Sequence, residues 1–171
     1  MNNNRPFFMN YTTVFLAIVV IAIIVVWWWR NNNSPAARAN LAETITKGTA
    51  FLEENSRRSE VVTLPSGLQY EVIKEGTGAQ PTPADRVKVH YHGTLIDGTV
   101  FDSSIERGQP ATFGVMQVIK GWQQGIPLMR IGSQYKFYIP QELAYGKQSP
   151  SHKIPAGSTL IFEVELLAIN P

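Results

Sequence analysis

Residues 87–101 read Val87-Lys88-Val89-His90-Tyr91-His92-Gly93-Thr94-Leu95-Ile96-Asp97-Gly98-Thr99-Val100-Phe101. Apolar and polar residues alternate from Val87 to Tyr91, the period of a half-buried strand. From Leu95 to Phe101 an Asp-Gly pair stands between two strand-like runs, a strong hairpin signal. The same period recurs on both sides. Leu68-Gln69-Tyr70-Glu71-Val72 alternates upstream, and Gln134 to Ile139 sets Tyr135, Phe137 and Ile139 against Gln134, Lys136 and Tyr138. The segment Thr159 to Ile169 places Leu160, Phe162, Val164 and Leu166 on one face. Between these strands, Val118 to Met129 reads as one short helix with Trp122, Ile126 and Met129 on its apolar side. The expected fold is α+β, a curved antiparallel sheet wrapped on one short helix. Such packing leaves a shallow apolar cleft with Trp122 pointing into it. On physics alone that tryptophan reads as plain core or as the floor of a binding site.

The N-terminal part follows other rules. Val14 to Trp29 is an uncharged apolar run that, with Tyr11, Thr12 and Thr13, reaches about 19 residues, or roughly 28 Å as a helix, close to bilayer thickness. It ends at Trp27-Trp28-Trp29-Arg30, and indoles prefer the membrane–water interface. The expected organisation is a tail over 1–10, a transmembrane anchor over 11–30, a polar spacer and stalk helix over 31–60, and the main domain over 61–171, with its core at 84–171. A cleaved signal peptide is the rival reading, since Ala37-Arg38-Ala39 has the small-residue pattern of a cleavage site. That site lies well beyond the apolar run, which favours an uncleaved anchor and lipid as a partner. Ser34-Pro35 reads as a helix start. Leu41, Ile45, Gly48 and Leu52 then share one face, either of a plain stalk or of a short dimerising seam. Arg30, Arg38 and Lys47 after the span outnumber Arg5 before it, a small vote for a cytoplasmic domain.

Charge and composition exclude other classes. The formal net charge is +2, and after Val61 nine Lys/Arg balance nine Asp/Glu. No nucleic-acid partner is expected, because such binding rests on phosphate pairing. The chain has no cysteine, hence no disulfide or thiolate chemistry. His90 and His92 are two imidazoles with no third ligand apparent, so they read as strand-surface residues, and no metal or cofactor is expected.

Several segments resemble the FKBP signature: Val89 to Leu95, Asp97-Gly98, Phe101-Asp102-Ser103-Ser104, Val118-Ile119-Lys120-Gly121-Trp122, Ala144-Tyr145-Gly146, Ile154-Pro155, and Thr159 to Leu167. They come in the family's order and spacing over about 100 residues. Upstream, Ala50 to Asn55 and Val62 to Tyr70 look like the bacterial macrophage-infectivity-potentiator branch. Most of that branch's helical arm is missing here, so its dimerisation is not carried over. The branch is mostly extracytoplasmic, which outweighs the charge count. The expected location is the bacterial inner membrane, single-pass, with the domain on the periplasmic side.

The resemblance implies a peptidyl-prolyl cis–trans isomerase that accelerates X-Pro rotation during folding, acting on proline-containing client segments and open to the family's macrolide inhibitors. It implies that Asp102, Tyr145 and Tyr91 carry catalysis, and that Phe101, Arg107, Val118, Ile119, Trp122, Ile154 and Phe162 bind substrate. Asp102 would sit at the pocket edge, oriented by Tyr91 and Arg107; read without the family, the Asp102–Arg107 pair could equally be a surface ion pair pinning the loop. Two departures stand out. Ala111 replaces a pocket-wall Phe, so that wall is expected to be lower, and Gln117 replaces a common Glu. The loop Lys147 to Lys153 carries no assignment. The alternative function is a membrane-tethered chaperone or docking module with weak activity.

Overall fold

Strand β3 (Arg86–Leu95) is the hub of the molecule in a computed structural model that describes residues 18–27 and 34–171. On one side it pairs with β7 (Leu160–Ile169), from Val87↔Ile169 to Leu95↔Leu160. On the other side its C-terminal half meets β4 (Val100–Ser103) and its N-terminal half meets β5 (Ala111–Gly114). With β1 (Val61–Thr63), β2 (Gln69–Lys74) and β6 (Gln134–Ile139), the sheet runs β1-β2-β6-β7-β3-β4, every pairing antiparallel. The hairpin after β3 forms where the Asp-Gly pair predicts it. Leu95 N–H donates to Thr99 O, Thr99 N–H donates to Asp97 Oδ1, and Gly98 takes the positive φ of 86° that the turn requires.

Alternation survives in the two central strands. In β3, Val87, Val89 and Tyr91 are buried, and in β7 Leu160, Phe162, Val164 and Leu166 are buried. The helix covering this face, α2, is shorter than its sequence pattern, running Lys120–Gly125 before a single 3₁₀ turn at Ile126–Leu128. Pro127 explains the break, since it cannot donate into a continuing α-helix. Two glycines bring α2 down onto β6. A methyl group on Gly121 would lie 2.5 Å from Ile139 Cγ2, and one on Gly125 would lie 2.5 Å from Phe137 Cε1. The approach seals a core containing Leu68, Ile126, Met129, Phe137 and Ile139, all fully buried.

The opposite face of β2 and β6 departs from simple alternation. Tyr138, on the polar side by sequence, is 3% exposed, and Gln69 is 4% exposed. The cause is helix α1 (Pro35–Asn55), which lays its C-terminal end across that face. Phe51 packs on Tyr138 at 6.0 Å between ring centres, Asn55 Nδ2 donates to Gln69 Oε1 at 2.8 Å, and Gln69 Nε2 donates to Leu52 O. Arg58 ties the turn after α1 to the same face through Tyr138 Oη and Glu71. Of the stripe read as a stalk face or a dimer seam, Leu52 O accepts from Gln69, and Leu41, Ile45 and Gly48 lie against Gly157 and Thr159 ahead of β7. Ser34 caps α1 as predicted, accepting from Ala37 N–H at 3.1 Å, with Pro35 as first helical residue.

The chain divides into two compact units after Asn40, and Leu41–Pro171 forms the unit that holds the sheet. Of the expected anchor, residues 18–27 are helical with exposed apolar side chains from Ile18 to Trp27. The remainder of 11–30, the tail and Asn31–Asn33 lie outside the described residues. Among the described residues, no helix is long and apolar enough to cross a membrane.

Candidate active site

Three aromatic rings converge on Trp122. Phe162 lies 5.1 Å from it, Tyr91 5.5 Å and Phe113 5.7 Å, all edge-on at 76° to 84°. Phe101 extends the cluster from Phe162 at 5.3 Å. Edge-to-face contact suits the aromatic quadrupole and fixes each ring against its neighbour. Gly93 makes the arrangement possible, since a methyl group there would lie 2.7 Å from Phe101 and 2.9 Å from Phe162. The alternation of β3 and β7 sends Tyr91 and Phe162 to the same face. Ile119, as N-cap of α2, starts the turn that presents Trp122 from beneath.

Above these rings opens a cleft of about 680 Å³. Tyr91, Phe101, Asp102, Val118, Ile119, Trp122, Tyr145, Ile154 and Phe162 all line it, so nine of the ten residues expected at the site meet around one hollow. Arg107 is the exception. It stands behind the wall, its guanidinium paired with Asp102 Oδ1, donating to Tyr91 Oη at 2.8 Å and lying 5.5 Å from the Tyr91 ring centre.

Sequence reasoning missed Phe113. The wall expected to be low at Ala111 is raised by this ring two positions on, on the same face of β5. The alternation Ala111-Thr112-Phe113 held that signal, because i and i+2 share a strand face. Pro150 and Ser151, from the unassigned loop, complete the rim. Ser149 Oγ binds both Ser151 O and Ile154 O at 2.7 Å, which shapes that loop and sets Ile154 in place. Gln117 is also in the lining.

The polar groups sit at one edge. Burial works against ionisation of Asp102, but hydrogen bonds from Tyr91 and Arg107, with the Arg107 charge, overcome it and hold the carboxyl below its usual range. Burial pushes the Tyr91 phenol up, and its hydrogen bond to Asp102 adds to this. Burial also pushes the Tyr145 phenol up, with the negative charge of Asp102 contributing. Across the neutral range the cleft therefore carries one carboxylate and two protonated phenols. Trp122 Nε1 is buried with no acceptor among the described residues, leaving a donor in the cleft floor. His90 and His92 point away from this chemistry, each with Nδ1 at 3.0 Å from a serine hydroxyl, Ser104 and Ser103 respectively.

Known proteins are similar to this chain. The model of the FKBP-type peptidyl-prolyl cis-trans isomerase family matches residues 77–167, and the model of the domain amino terminal to that isomerase matches 29–72. The FKBP-type peptidyl-prolyl cis-trans isomerase FkpA of Aeromonas hydrophila is 52% identical over 134 residues, 78% of this chain and 50% of that protein. The outer membrane protein MIP of Legionella longbeachae is 50% identical over 128 residues, 75% of this chain and 55% of that one. The chain thus spans about half the length of these curated relatives. The crystal structure of FkpA from Escherichia coli superposes with a TM-score of 0.75 at 38% identity, covering 88% of this chain and 72% of the other. With the family's model matching more than half its length, this chain belongs to the FKBP-type peptidyl-prolyl cis-trans isomerase family.

Proposed function

We propose that the chain is an active peptidyl-prolyl cis–trans isomerase working on proline-containing segments of client proteins. The observation that carries the reading is the convergence of Tyr91, Phe113 and Phe162 on Trp122 around a cleft that holds a single carboxylate. Rotation about X-Pro faces a barrier of about 20 kcal/mol, because amide resonance gives the C–N bond double-bond character. The twisted amide has lost that resonance, and with it part of the negative charge on oxygen. It needs water less than the planar form does. A dry aromatic hollow therefore favours the twisted state over the hydrated planar one, with no bond made or broken.

Each polar residue has a place in this scheme. Trp122 floors the proline ring site, and Phe101, Phe162, Val118 and Ile154 wall it. The Ile119 N–H, ahead of the helix ladder, and the Tyr145 hydroxyl hold flanking carbonyls of the client. Asp102 lies where it repels the charge on the planar carbonyl oxygen, so its influence weakens as the bond twists. Tyr91 and Arg107 hold it ionised. Macrolides of the kind that inhibit the family fit the same apolar walls.

Residues 11–30 serve as the membrane anchor, in contact with lipid, and 61–171 as the isomerase domain on the periplasmic side. The exposed apolar side chains of 18–27 support the anchor. A reporter fused to the C-terminus, active on one side of the membrane only, tests the orientation.

The function is tested with a protease-coupled assay on a proline peptide. The expected result is turnover well above the uncatalysed rate, reduced by Asp102→Ala and by Tyr145→Phe. Peptide binding without turnover would instead make the cleft a docking site.

A further inference from the structure

Helix α1 meets the sheet unit at two points that have no spare room. A methyl group on Gly48 would lie 2.4 Å from Thr159 Oγ1. A methyl group on Gly157 would lie 2.7 Å from Ile45 Cγ1 and 2.8 Å from Leu41 Cδ1. Glycine in the middle of a helix weakens it, so its presence at 48 marks a place where proximity matters more than helix stability.

The segment so contacted lies between lining residues of the cleft. Ile154, a lining residue, stands three positions before Gly157, and Phe162, another, stands three after Thr159. Gly157 N–H donates to Gly146 O at 2.9 Å, and Gly146 N–H donates to Gln141 O at 2.8 Å. Gly146 directly follows Tyr145. A displacement of Gly157 would therefore reach Tyr145 through one hydrogen bond and one peptide, and Ile154 through three residues.

We propose that α1 is a positioning element of the cleft, setting Tyr145 and Ile154 through the Gly48–Thr159 and Ile45–Gly157 contacts. The helix is then neither a stalk nor a spacer. Its seat is part of the catalytic geometry. Only the turnover readout rests on the isomerase reading.

The test uses the full chain, with turnover measured beside amide hydrogen exchange. Gly48→Ala adds one methyl group and favours the helix, so melting of α1 cannot explain a loss. It should lower kcat/KM about 3–10-fold. It should also speed exchange at residues 145–158 while leaving β3 unchanged. Thr159→Ala removes the 2.4 Å contact, so Gly48→Ala/Thr159→Ala should return to within about twofold of Thr159→Ala alone. Thr49→Ala, on the exposed face of α1, controls for helix propensity and should match the wild type. The proposal is overturned if Gly48→Ala leaves turnover and exchange unchanged, if Thr49→Ala has the same effect, or if Thr159→Ala gives no rescue. Absence of turnover in the wild type would remove the isomerase reading and leave exchange at 145–158 to decide the coupling.

Discussion

The Tyr91 hydroxyl donates a 2.5 Å hydrogen bond to Asp102 Oδ2. That one contact joins the aromatic wall of the cleft to its only carboxylate, and Arg107 closes the triangle by binding both. Because Asp102 and Arg107 are each nearly half exposed, solvent screens the pair, and its value lies in orientation more than in stability. Asp102→Ala should lower kcat/KM about tenfold with melting temperature nearly unchanged, and Tyr91→Phe should cost several-fold. Steady-state kinetics alongside calorimetry check this. A large fall in melting temperature with normal turnover would reverse the assignment.

The pH profile follows from the same groups. The Asp102 carboxyl is depressed, so its charged form and the stability it contributes are present above about pH 4 and are lost as pH falls through its lowered value in the folded protein. Tyr91 and Tyr145 are raised above the ordinary phenol value near 10, so their hydroxyls stay protonated through the neutral and mildly alkaline range. Turnover should therefore be flat from about pH 5 to pH 9. A bell centred near neutrality would point to a titrating histidine and against this site.

Gly93→Ala tests the ring geometry. The added methyl must displace Phe101 or Phe162 or bend β3. Overpacking of this kind costs about 1–3 kcal/mol. The variant should unfold at lower urea and lose turnover more than stability alone explains. Retention of full activity would mean that the two rings are free to shift.

Asn55→Ala tests the docking of α1. It leaves Gln69 Oε1 without its donor while Gln69 Nε2 keeps Leu52 O, and a buried polar atom left unpaired costs about 1–3 kcal/mol. Calorimetry on the full chain should show a melting temperature lower by several degrees. No change would mean that water replaces Asn55 without cost.

The sequence made β3 and β7 legible because each packs one face on the core, so alternation maps directly onto burial. The cleft was legible through side chains of fixed chemistry, Trp122 and Asp102 foremost. What escaped was whatever a third element decides. Tyr138 and Gln69 sit on the nominally polar face and become buried only because α1 crosses it, information that no local period contains. Phe113 shares one strand face with Ala111, and it lines the cleft where Ala111 does not. Arg107 binds Asp102 and Tyr91 Oη as expected, but it is absent from the cleft lining, a placement that depends on loop path.

Helix α2 spans only six residues, too few to persist alone in water. It exists because β6 receives Gly121 and Gly125. The floor of the hollow is thus borrowed from the sheet: no partly made molecule can offer Trp122 in its working attitude. A growing chain should stay inert until its last strand has been laid, and loss of activity in denaturant should coincide with global unfolding rather than precede it.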